Sequence, residues 1–217
     1  MTVNCTQLGD GYSAKDKKRI LNEWCDFLRS KPTSFRELTF GTRMPQELFD
    51  AVARQKSLVR LNIKWGAYKD ISSIENIGKI ESLHIGSGAG VQSIEPLSRL
   101  ETLQELSVEN FQKIKDYSPL SSLAKLRGLS IQGDGLGPQY IKVDSLDFLM
   151  DMPKLTSFTF VTARLKSKDY SPVLSLQELT HLTLPSHRDV KKIYDELTKL
   201  PKLNTGLLVE KPELYGR

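Results

Sequence analysis

Cysteine is nearly absent from the 217-residue sequence: Cys5 and Cys25 are the only two, and neither belongs to a C-x-x-C pair. A disulfide framework and a cysteine-based zinc site are thereby excluded, and a reducing compartment is expected. Long apolar runs are missing as well. Nothing approaches the roughly 20 residues that span a bilayer, and Met1 to Tyr12 lacks the basic-then-apolar order of a secretion signal. The expectation is a cytoplasmic protein with no membrane contact. Histidine is scarce, and His181 and His187 lack the i, i+4 spacing that places two metal ligands on one helix face. No metal is expected.

Charge of one sign is not in large excess, since 31 Lys and Arg stand against 26 Asp and Glu, leaving +5. The densest basic run, Lys15, Lys17, Lys18 and Arg19, is interrupted by Asp16, and its simplest reading is the solvated face of a helix. With 39% hydrophobic and 26% charged residues the composition is that of a folded globular chain.

A pattern, apolar-x-x-apolar-x-apolar, recurs along nearly the whole sequence. Its copies are Phe35/Leu38/Phe40, Leu58/Leu61/Ile63, Ile80/Leu83/Ile85, Leu103/Leu106/Val108, Leu126/Leu129/Ile131, Leu155/Phe158/Phe160 and Leu179/Leu182/Leu184. The spacings are 23, 22, 23, 23, 29 and 24 residues, and a further step of 24 reaches Leu203, opening a degenerate copy through Leu208. Between these motifs Ile94-Glu95-Pro96-Leu97, Tyr117-Ser118-Pro119-Leu120 and Tyr170-Ser171-Pro172-Val173 occupy equivalent places. A serine followed by proline, as in the last two copies, then leucines three apart, suits a short turn and a single tight helical turn.

These residues resemble leucine-rich repeats, closest to the short repeats of internalins and of phosphatase regulatory subunits, with some longer helical repeats. The resemblance covers about Phe35 to Leu208. It implies an α/β leucine-rich repeat solenoid: a curved coil with a parallel β-sheet on the concave face, short helical or turn segments on the convex face, and a helical N-terminal cap. One departure from the family is diagnostic. Where it places asparagine, this sequence has Gly66, Gly88, Phe111, Asp134, Ala163 and His187, so no asparagine ladder forms and glycines with an aromatic plug take over.

A repeat buries its apolar face only against neighbours, so both ends need covering. Ser13 as N-cap, then Ile20, Leu21, Trp24, Phe27 and Leu28 at helical spacing, predict a helix to Arg29. Pro45 to Gln55 and Asp189 to Lys199 read as further helices. The expected division is a helical cap over 1–34, a solenoid of about eight repeats over 35–208, and a tail over 209–217 that frays. The glycine-rich segments 86–90 and 133–137 lack the Lys-Ser/Thr of a phosphate loop and are expected to turn the coil, the second one bulging over Gly133 to Tyr140. No cofactor is expected.

Strand alternation gives the outward rows. The first runs Glu37, Arg60, Ser82, Glu105, Gly128, Ser157, His181, Thr205. The middle runs Thr39, Asn62, His84, Ser107, Ser130, Thr159, Thr183, Leu207, and the third includes Lys64, Glu109, Gln132, Val161 and Val209. His84, Ser107 and Glu105 superficially form a base, nucleophile and acid, but an open wet sheet offers no evident oxyanion donors. No enzyme activity is expected. Arg60, Lys64, Trp65 and Tyr68 cluster on and after the second strand, with Trp65 expected partly exposed, and such residue types favour binding hot spots. The candidate partner-binding set is Arg60, Asn62, Lys64, Trp65, His84, Glu105, Ser107, Glu109 and Gln132. A protein partner is expected, met by a chain that is monomeric when free and acts as adaptor or stoichiometric inhibitor, an immunity-type protein being one form. Nucleic acid or another acidic surface is the alternative partner.

Overall fold

Apolar residues three apart mark the segments between the strand motifs. Ile71/Ile74/Ile77/Ile80, Ile94/Leu97/Leu100/Leu103 and Tyr117/Leu120/Leu123/Leu126 are all buried. A period of 3.0 stacks side chains on one face of a 3₁₀ helix and not of an α-helix. The computed structural model, which describes residues 1–216 apart from Leu136 and Pro138, has 3₁₀ turns at Ser72–Asn76, Glu95–Arg99, Ser118–Ser122, Asp147–Asp151 and Ser171–Ser175.

The strands in chain order are β1 (Thr2–Val3), β2 (Glu37–Met44), β3 (Arg60–Gly66), β4 (Ser82–Ile85), β5 (Glu105–Glu109), β6 (Gly128–Gln132), β7 (Ile141–Val143), β8 (Ser157–Val161), β9 (Ala163–Leu165) and β10 (His181–Thr183). One parallel sheet runs β1-β2-β3-β4-β5-β6-β8-β10, and β7 pairs with β9 in a sheet of its own. The register is the one the repeat predicts. Leu61, Leu83, Leu106 and Leu129 are successive partners inside, and Asn62, His84, Ser107, Ser130 and Thr159 outside.

Each of these five turns starts the same way. The side chains of Asp70, Asp116 and Asp169 accept from the backbone N–H two residues on, at Ser72, Ser118 and Ser171, over 2.8, 2.8 and 2.9 Å. Ser93 and Ser145 do so for Glu95 and Asp147, at 3.2 and 2.9 Å. A short polar side chain mimics a backbone turn here, and the device recurs from repeat to repeat. These bonds hold the Asp70 and Asp169 carboxyls below their usual range. The aromatic plug is real: Phe111 is fully buried, and a Cβ on Gly88 would overlap its ring.

The ends differ from the sequence expectation in several places. Helix α1 (Ala14–Ser30) starts at the Ser13 cap, but β1, which periodicity does not mark, precedes it and pairs with β2. Helix α2 (Gln46–Val52) is shorter than 45–55, ending where Gln55 turns its amide to the carbonyls of Leu28 and Lys31, at 2.6 and 2.9 Å. The helix expected over 189–199 is two, α3 (Arg188–Lys192) and α4 (Tyr194–Leu197), broken at Ile193 with φ −112° and ψ 15°.

Leu207 and Val209 do not join the outward rows. Thr205 makes a single bridge to His181, Gly206 takes φ 97°, and the chain enters α5 (Leu207–Glu210). The tail does not fray. Tyr215 is buried and its hydroxyl donates to the Leu184 carbonyl at 2.7 Å, while Tyr194 donates to Leu208 at 2.8 Å. Two tyrosines thereby cover the last repeat's apolar face. Of the expected bulge over 133–140, Leu136 and Pro138 lie outside the described residues, and Arg217 of the tail does too; Tyr140 is exposed.

Candidate binding surface

Strand alternation aims every second side chain of β3 to β6 at solvent while the leucines between them hold the backbone. Arg60, Asn62 and Lys64 stand on β3, His84 on β4, Glu105, Ser107 and Glu109 on β5, and Gln132 on β6. Four consecutive strands therefore carry these eight residues. Trp65 lies near the end of β3, is half-buried beside its register partner Arg43, and has the Lys64 ammonium 5.4 Å from its ring centroid.

The outward side chains are tied to one another. Arg60 Nη1 donates to Glu37 Oε1 at 3.0 Å, an exposed pair. His84 Nδ1 and Ser107 Oγ are hydrogen-bonded at 3.0 Å, and Gln132 Nε2 donates to Ser130 Oγ at 2.5 Å. Glu109 accepts from the Gly135 N–H at 3.4 Å.

At the centre of the sheet is a cavity of about 140 Å³, lined by His84, Glu105, Ser107, Gly128, Ser130 and Ser157 with their neighbours. Its cause is Gly128, which opposes Glu105 in the register and whose missing side chain leaves room for the Glu105 carboxylate. Partial burial lowers the His84 imidazole against a smaller upward pull from Glu109, and burial raises the Glu105 carboxyl. The cavity thus favours a neutral imidazole. Gly128 is absent from the residues singled out in the sequence, although it is the one glycine of the first outward row and that gap was its signal.

Among the described residues no hydrogen bond joins Glu105 to His84 or Ser107, so the acid does not orient the imidazole. No group of three His, Cys, Asp or Glu among them could hold a metal ion, and no helix among them is long and apolar enough to cross a membrane. The family-asparagine place at 187 holds a histidine whose Nε2 is hydrogen-bonded to the Tyr170 hydroxyl at 2.8 Å.

No protein-family model matches the sequence, and no curated protein matches it. Among solved structures, an internalin from Listeria monocytogenes str. 4b F2365 is similar over 78% of this chain and 57% of its own, at 21% identity and a TM-score of 0.50. A TDR receptor is similar over 86% of this chain and 36% of its own, at 14% identity and a TM-score of 0.51. The chain spans just over half the length of the first and about a third of the second. Repeat period, parallel sheet and structural likeness agree that this chain folds as a leucine-rich repeat solenoid.

Proposed function

We propose that the chain is a non-enzymatic protein-binding module, an adaptor or stoichiometric inhibitor, the immunity type being one form, which occupies a partner protein with its concave face. The observation that carries this reading is the row of outward residues from Arg60 to Gln132, changing chemistry strand by strand on a hydrogen-bonded sheet. Such a surface is ordered before binding, so little conformational freedom is lost on association. The footprint comprises Arg60, Asn62, Lys64, Trp65, His84, Glu105, Ser107, Glu109 and Gln132. We assign the helical cap to 1–34, the solenoid to 35–208 and the tail to 209–217, in a cytoplasmic chain that is monomeric when free.

A nucleic-acid partner is less well supported, because the basic residues that would carry it are partly neutralised. Arg19 pairs with Asp16 and Glu23, Lys192 with Asp189, and Lys202 with Glu178. A polyanion reads such paired cations weakly.

The test compares proteins retained from the native cell by three immobilised forms. These are the parent, His84→Ala/Glu105→Ala/Gln132→Ala on the sheet, and Arg99→Ala/Ser122→Ala on the 3₁₀ turns. Loss of one stoichiometric partner with the sheet variant alone is the expected result. Retention of that partner by the sheet variant, or its loss only with the other, removes the concave-face reading.

A further inference from the structure

The 29-residue repeat carries a strand, β7, that pairs with β9 of the next repeat in a second sheet. β7 and β9 each follow a strand of the main sheet and precede a 3₁₀ turn, so they lie on the flank of the coil, off the concave face. Both read buried, exposed, buried. Ile141, Val143, Ala163 and Leu165 close inward, which leaves Lys142 and Arg164 outward and directly opposite each other.

One residue further, Lys166 Nζ stands 3.4 Å from Asp144 Oδ1. The Asp144 N–H donates to the Lys115 carbonyl at 2.9 Å, which brings Lys115 alongside. Lys115, Lys142, Asp144, Arg164 and Lys166 line one cavity of about 350 Å³. Four cations therefore meet one carboxylate. Among the described residues no other ion pair engages any of the four. Like charges opposite each other on paired strands repel, so the arrangement is not one that folding alone favours. The Arg164 guanidinium lies 5.0 Å from the Tyr140 ring centroid, which holds its planar fork at the cavity's edge.

We propose that this cavity is a binding site for a compact, multiply charged phosphate group. Phosphate matches the donors: an arginine fork takes two oxygens at once and lysines add point charge. Size and surroundings argue against a polymer. The exposed carboxylates of Asp116 and Asp169 follow Lys115 and Lys168 directly in the chain, where a continued phosphate backbone would need cations. The site is on a different sheet from the proposed footprint and stands or falls independently of it. The phosphate could be carried on a protein segment or be free in solution, and the arms of the test separate these sources.

The test is calorimetric titration of the full chain at low salt with sodium pyrophosphate. The other titrants are a phosphoserine peptide, its unphosphorylated twin, and a short DNA duplex. Pyrophosphate should bind saturably at one site, at least about tenfold more weakly to Lys142→Ser/Arg164→Ser, as expected for loss of two charge-assisted contacts. Lys79→Ser/Lys125→Ser, which removes two exposed cations outside the cavity, should bind like the parent. Both replaced side chains in the cavity are exposed, so a melt matching the parent separates loss of site from loss of fold. Should the pair fail to fold, Lys166→Ser carries the same comparison.

A phosphoserine peptide that binds where its twin does not assigns the phosphate to a partner protein, and pyrophosphate binding alone assigns it to solution. No saturable pyrophosphate binding, or equal weakening by the Lys79/Lys125 pair, overturns the proposal. So does tighter binding of the duplex with a salt slope of several counterions.

Discussion

Leu106 and Ser107 are chain neighbours on β5 with opposite surroundings. Leu106 is 2% exposed between its register partners Leu83 and Leu129, while Ser107 is half-buried on the concave face beside His84. Replacing each by aspartate tests the register. At Leu106 the change forfeits about 2 kcal/mol of leucine burial and places a carboxyl where its charged form is excluded. Taking up a proton avoids the charge, but holding a group of ordinary pKa near 3.9 neutral at pH 7 costs about 4 kcal/mol. The loss of about 6 kcal/mol falls within the whole stability of an ordinary domain, about 5–15 kcal/mol.

The folded-state pKa of that carboxyl is raised above its unfolded value. Stability is therefore highest below about pH 4 and is lost as pH rises through the raised pKa. Leu106→Asp should be unfolded or close to it at pH 7, and should recover relative to the parent at pH 5. Ser107→Asp puts its carboxylate on the half-buried concave face, where no leucine burial is lost and solvent is in reach, and should cost far less, about 1–2 kcal/mol. Urea titrations followed by circular dichroism at the two pH values read both effects. Equal midpoint shifts for the two variants, or a Leu106→Asp midpoint that ignores pH, would refute the register.

Gly88→Ala places a methyl on the buried Phe111 ring and should cost about 1–3 kcal/mol. Gly128→Ala meets only the movable end of Glu105 and should cost less, so a scanning melt that ranks them the other way unseats Phe111. Tyr215→Ala should cost about 3 kcal/mol and Tyr215→Phe about 1 kcal/mol through the bond to Leu184; parent-like melts for both would mean that the tail is loose. His84 should titrate below its ordinary value of 6.5 in NMR. Its depressed folded pKa means that its contribution is present above about pH 6.5 and lost as pH falls. His84→Gln should flatten that part of the stability profile, and a His84 resonance titrating at or above 6.5 would count against a half-buried imidazole.

Most of the concave face was legible because two periods coincide there. The 23-residue repeat aligns strands, and the two-residue alternation within a strand then assigns each side chain to core or solvent. Asn62, His84, Ser107 and Ser130 follow from counting alone. What counting missed were places where one residue's role depends on another far along the chain. The Glu105 carboxylate finds room because Gly128 stands opposite, and β1 is a strand because the edge of β2 is there to accept it. One further signal, Asp or Ser two residues before the first residue of each of the five repeat turns, was in plain view and caps those turns locally.

The repeat, its register, the core lattice and the Ser13-capped helix were determined by sequence alone, since each depends on local spacing and nearest-neighbour stacking. Tertiary structure decided the ends and the flank. Tyr215 reaches back 31 residues to Leu184 and converts a polar tail into a cover. β7 of the 29-residue repeat pairs with β9 of the next, and together they gather four cations that lie up to 51 positions apart, from Lys115 to Lys166. Contacts of that span leave no period in the sequence, because only the coil's stacking brings their members together.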